Sequence, residues 1–97
     1  MDMKYADFLR YVEELLVRYN SPLLEREKFQ VMSHLNGSQV SELLSDKLSM
    51  MDGGRKALVL ADFDGDFKPT KVFLFKDGKL KLVGVGDPST GFATIYE

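Results

Sequence analysis

Two residues, Asp77-Gly78, do most to limit what this chain can fold into, because they sit between two apolar stretches and match a tight hairpin turn. A type I′ turn needs positive φ at both central positions, and Asp-Gly adopts it with little strain. Such a turn pairs Thr70–Lys76 with Lys79–Val85 and pins the register. Phe75 then faces Leu80 and Phe73 faces Leu82 on one side, while Val72 faces Val83 and Leu74 faces Lys81 on the other. Both sides of the hairpin are apolar, so each must be covered or offered to a partner.

Upstream, the periodicity is helical. Tyr5, Phe8, Leu9, Val12, Leu15, Leu16 and Tyr19 form one stripe, and Asn20 suits the end of that helix. Ser21-Pro22 resembles an N-cap followed by a proline at the first helical position, which predicts a second helix from Pro22 to Leu35. Asn36-Gly37 ends it, and Ser38 caps a third helix carrying Val40, Leu43, Leu44, Leu48 and Met51. Past Gly53-Gly54 the pattern becomes strand-like: Ala57–Ala61 reads as a buried strand, and Phe92–Tyr96 can return as a last one. The expected fold is therefore α+β, with three N-terminal helices (residues 1–52) on one face of a three- to four-stranded antiparallel β-meander (residues 55–97).

A chain of 97 residues, 44% hydrophobic and 29% charged, suits one folded domain. It has no cysteine, so disulfides and thiolate chemistry are ruled out. No signal-peptide pattern or membrane-length apolar run is visible, and a cytoplasmic location is expected. Residues 1–52 hold six basic and nine acidic side chains, and residues 53–97 hold seven and six, so neither half has the basic excess of a nucleic-acid-binding surface.

Three aspartates at alternate positions, Asp62, Asp64 and Asp66, are the most chemically suggestive group. Hard cations prefer several carboxylate oxygens, which makes these three the candidate metal ligands. The spacing is not that of an EF-hand, which would want glycine where Phe67 stands and glutamate where Phe73 stands. The string from Leu58 to Asp66 resembles the first motif of haloacid-dehalogenase-type phosphatases, an apolar strand followed by Asp-x-Asp-Gly-Thr. That resemblance implies a nucleophile at Asp62, a general acid at Asp64 and a magnesium ion beside them. It covers nine residues, puts Asp66 where the family has Thr or Val, and leaves 31 residues for the remaining motifs.

Residues 25–51 have lengths suited to a helix-turn-helix, the basis of an alternative reading as a small DNA-binding regulator. The recognition helix would carry Glu42 and Asp46 against the single base Lys47, which phosphate repulsion disfavours, so nucleic acid is an unfavoured partner. His34 is the sole histidine, and the serines at 38, 41, 45 and 49 lack a base. Phe73 and Phe75 beside Lys71, Lys76, Lys79 and Lys81 resemble a single-strand-binding sheet less than a core packed on cross-strand leucines.

With helices on one side only, the expectation is that Val72, Leu74, Val83 and Val85 form an exposed apolar face. The chain is then a non-catalytic protein-interaction module, such as an adaptor, inhibitor or assembly factor. It would bind a protein partner or a second copy of itself, with no cofactor and no membrane. Its size is compatible with a phage-encoded regulator.

Overall fold

The computed structural model describes residues 1–26, 57–77 and 79–96. Among them are one helix and six strands: β1 (Asp2–Lys4), α1 (Tyr5–Arg18), β2 (Leu23–Glu25), β3 (Ala57–Phe63), β4 (Pro69–Lys76), β5 (Lys79–Asp87) and β6 (Phe92–Ile95). They form a single mixed sheet in the order β1-β6-β5-β4-β3-β2. The β3–β6 meander is antiparallel throughout, β1 joins β6 antiparallel, and β2 joins β3 in parallel.

This corrects the expectation of three helices on a small antiparallel sheet. Residues 1–26 supply both edge strands of the described sheet, β1 and β2, as well as α1. Helix α1 forms on its apolar stripe and buries Phe8, Val12 and Leu15. It ends in a Schellman arrangement: Asn20 has φ 48°, Asn20 N–H donates to Val17 O, and Ser21 N–H donates to Leu16 O.

The predicted second helix does not begin at Pro22. Ser21 is buried, and its hydroxyl accepts the Val59 N–H at 3.0 Å and donates to Pro22 O at 2.7 Å, which occupies the group that would have capped a helix. Leu23 and Leu24 then run as a strand beside Val59 and Leu60 and pack into different cores, an arrangement only period-2 alternation allows two adjacent leucines. The rest of that helix, the third helix, His34 and the serine series lie outside the described residues. So does the helix-turn-helix, except for Glu25 in β2 and Arg26 just after it.

Strand β1 was not anticipated. Its three residues alternate, with Met3 packing inward and Asp2 and Lys4 exposed, and its start is tied to β6 by hydrogen bonds between Met1 and Ile95 in both directions.

The hairpin keeps the expected register near its turn, where Lys76 pairs with Lys79, Phe75 with Leu80, Leu74 with Lys81 and Phe73 with Leu82. Asp77 has φ 54°, as a type I′ turn requires. One residue further on, a β-bulge intervenes: Val72 pairs with Gly84, leaving Val83 as the extra residue. Gly84 and Gly86 therefore both face α1, and the Phe8 ring lies on them. A Cβ at Gly86 would stand 2.7 Å from Phe8 Cδ2 and Cε2 and 2.9 Å from Tyr5 Cε1, so glycine is what permits this approach.

The sheet has a buried cluster on each face. Under α1 lie Val59, Ala61, Val72, Val83, Ala93 and Ile95 with Phe8, Val12 and Leu15. On the opposite face Leu58, Leu60 and Phe75 are buried, with Leu24 and Phe73 packed against them.

Candidate functional site

The three aspartates do not converge. Asp62, the next-to-last residue of β3, lies on the face away from α1, opposite Lys71. Its carboxylate accepts two hydrogen bonds from Arg26, from Nε at 2.9 Å and from Nη2 at 2.8 Å. The Arg26 guanidinium lies 4.5 Å from the centre of the Phe73 ring. Arg26 N–H also donates to Ala61 O at 2.9 Å, so the residue after β2 is fastened to β3 by backbone and side chain. A planar, two-point ion pair of this kind, mostly shielded from water, orders the chain rather than offering a reactive carboxylate.

Asp64 opens the β3–β4 turn and serves it. Oδ1 accepts the N–H groups of Asp66 at 2.9 Å and Lys68 at 3.0 Å, while Asp64 N–H donates to Lys68 O and Phe67 N–H to Asp64 O. Asp66 is exposed on that turn. Among the described residues, no group of three His, Cys, Asp or Glu side chains is close enough together to hold a metal ion. The nucleophile and acid that the phosphatase resemblance implies are thus an arginine's ion-pair partner and a turn-capping carboxylate.

The turn contains a residue sequence reading passed over. Phe67 has φ 59° and is 82% exposed. The left-handed region disfavours a bulky side chain by about 1–2 kcal/mol, and glycine is the usual occupant at such a point. The signal was available, since Gly65 stands two residues too early to relieve that position, and no atom outside its chain neighbours would lie within 4 Å of a Cβ there.

Beside Phe67 is a cleft of about 130 Å³ lined by Glu25, Ala61, Phe63, Asp64 and Phe67. The parallel pairing of β2 with β3 sets Glu25 beside Ala61, and the turn returns Phe67 toward them. Tyr5 donates its hydroxyl to Pro69 O at 2.7 Å. Its phenol is pushed above its ordinary value, first by burial and then by the negative charge of Asp64.

The expected interaction residues are also redistributed. Val72 and Val83 are buried, and Leu74 packs against the same cluster, so this side of the hairpin is covered by α1. The bulge sends Val85 to the opposite face, where it pairs with Lys71 and Thr94 and is half-buried. The exposed apolar groups on that face are Leu80 (37%), Leu82 (36%) and Phe92 (64%). The α1-covered hairpin side thus cannot meet a partner without opening the core, whereas the Leu80–Leu82 side can.

Among the described residues the architecture is a six-stranded mixed sheet with one helix on one face, a strip of half-exposed leucines on the other face and a cleft at the β2–β3 end lined by Glu25, Ala61, Phe63, Asp64 and Phe67. No protein family, curated protein or solved structure matches the chain. Among the described residues no helix is long and apolar enough to cross a membrane.

Proposed function

We propose that the protein is a non-catalytic interaction module that pairs with a second copy of itself through the sheet face opposite α1. The observation that carries this reading is the strip of Leu80, Leu82 and Val85 along β5, continued by Phe92 on β6. Contiguous apolar surface of this kind favours association.

The charges on that face favour a copy of the same chain. Among the described residues, Asp2 and Lys4 of β1, Asp62 of β3 with its partner Arg26, Lys71 of β4 and Asp87 of β5 lie on the same side as the strip, three of each sign. A two-fold interface brings one patch against itself, which a single-signed rim would resist and a mixed rim permits. The carboxylates of the resembled phosphatase motif are engaged in structural bonds, which supports the non-catalytic part of the reading.

Sedimentation of the full chain across a concentration series, beside Leu82→Lys, tests this. The expected result is a concentration-dependent dimer that the folded Leu82→Lys variant fails to form. A wild type that stays monomeric to the solubility limit, or a variant that dimerises equally well, rejects the reading.

A further inference from the structure

Strand β1 ends the described sheet on the side away from β2, and its edge is a different surface from the leucine strip. We propose that this edge pairs antiparallel with β1 of a second copy about a two-fold axis at Met3, setting Asp2 of each chain against Lys4 of the other.

The backbone fixes which groups meet. Met1 and Ile95 exchange hydrogen bonds, and Tyr5 N–H donates to Gly91 O, so the odd-numbered residues of this stretch turn their peptide groups toward β6. Antiparallel alternation then turns the N–H and C=O of Asp2 and the N–H of Lys4 outward. Lys4 is still extended, at φ −74° and ψ 151°, although it stands at the N-cap of α1 and its carbonyl opens the helix ladder. With the axis at Met3, the Lys4 N–H of each copy meets the Asp2 carbonyl of the other, which makes two hydrogen bonds.

The side chains then select the occupant and its register. Asp2 and Lys4 are exposed on the face away from α1, and Met3 between them is half-buried on the α1 side. Pairing about Met3 gives two contacts of opposite charge between the chains and sets the two Met3 side chains together beside the apolar cluster. A shift of two residues would put Asp2 against Asp2 or Lys4 against Lys4, and a shift of one would put an α1-side residue against one from the other face. Charged residues commonly guard edge strands against pairing. A guard of one sign repels a second copy, whereas Asp2 and Lys4 complement it. The Thr94 hydroxyl donates to Asp2 Oδ1 at 2.9 Å, which holds the carboxylate on that face, and a carboxylate can accept about four hydrogen bonds. Three residues cover far less than the roughly 1,200–2,000 Å² of a stable interface, so this pairing is weak by itself and is read at high concentration.

The test uses the full chain carrying Leu82→Lys, so that it does not depend on pairing through the leucine strip. Sedimentation and amide NMR, including solvent exchange, are followed up to millimolar concentration. The expected result is a mass that rises toward the dimer while the Asp2 and Lys4 amides shift and gain protection. Asp2→Lys and Lys4→Asp, each added alone, should weaken this association about 2- to 30-fold, as two contacts of like charge imply. Mixed in equal amounts, the two variants should associate at least as strongly as the parent, because the mixture restores both contacts of opposite charge. No change at these amides up to the solubility limit, single variants that associate as the parent does, or a mixture no stronger than its components overturns the proposal. Edge pairing in the Leu82→Lys chain, found together with no loss of association on adding that substitution to the wild type, upholds it and rejects only the face reading.

Discussion

The two faces of the sheet meet different demands with neighbouring residues. On the α1 face, small residues let a helix lie close: Gly84 and Gly86 receive Phe8, and Ala61 and Ala93 floor the rest of the cluster. On the other face the side chains are large, with Leu58, Leu60 and Phe75 buried and Leu80 and Leu82 left half-exposed. The bulge at Val83 separates these roles, since Leu82 and Val83 are adjacent yet one is open and the other sealed. Apolar character alone therefore does not tell which residues of a hairpin are sealed. Where Phe8 meets the sheet, it is the absence of a Cβ at Gly84 and Gly86 that allows the approach.

Substituting lysine at those two positions should give the sharpest contrast. Val83→Lys buries an unpaired ammonium under α1 and should lower stability by about 4 kcal/mol or more, whereas Leu82→Lys should stay within about 0.5 kcal/mol. Denaturant midpoints of the pair measure it, and equal losses would mean the faces are not distinct.

On the face opposite α1, Arg26→Ala should cost about 2–4 kcal/mol, because it leaves Asp62 mostly buried without its partner. Arg26→Lys should recover only part of that, since an ammonium cannot make the two-point contact. On the α1 face, Gly86→Ala should cost about 1–3 kcal/mol by pressing on the Phe8 and Tyr5 rings, and a smaller loss would show that α1 can slide away. Phe67→Gly should act in the opposite direction, raising stability by about 1 kcal/mol as the left-handed position is relieved, read as a higher thermal midpoint.

The smallest effect concerns pH. Hydrogen bonds from the Ser89 hydroxyl and N–H hold the Asp87 carboxyl below its usual value. A depressed carboxylate adds stability that is complete above the ordinary carboxylate range and is lost as pH falls through the lowered folded value. Ser89→Ala should move the Asp87 titration, followed by carboxyl NMR, back toward its ordinary range.

Much of the meander was legible. The Asp77-Gly78 turn sets the first four hairpin pairs because turn geometry and side-chain alternation act over a few residues. The α1 stripe predicts the helix and the buried face it forms. The bulge was not legible, because nothing local marks it. Gly84 and Gly86 look like flexible strand residues until Phe8, about 80 positions earlier, is placed against them. Ser21-Pro22 misled for a related reason: the same hydroxyl can cap a helix or close a gap beside Val59, and the choice depends on a strand far along the chain. At the candidate site the aspartates were visible, but Arg26, which takes Asp62, and Glu25, which joins Phe67 at the cleft, carry no local signal.

Residue order alone thus specified what short-range physics controls: the amphipathic helix, the tight hairpin turn, the buried run at Ala57–Ala61 and the absence of thiol chemistry. Parallel pairing of β2 with β3, pairing of β1 with β6, and the choice of which hairpin side receives α1 were settled in three dimensions. Each depends on backbone hydrogen bonds and close packing between segments far apart in the chain, and these are weighed against one another only when the whole sheet has formed.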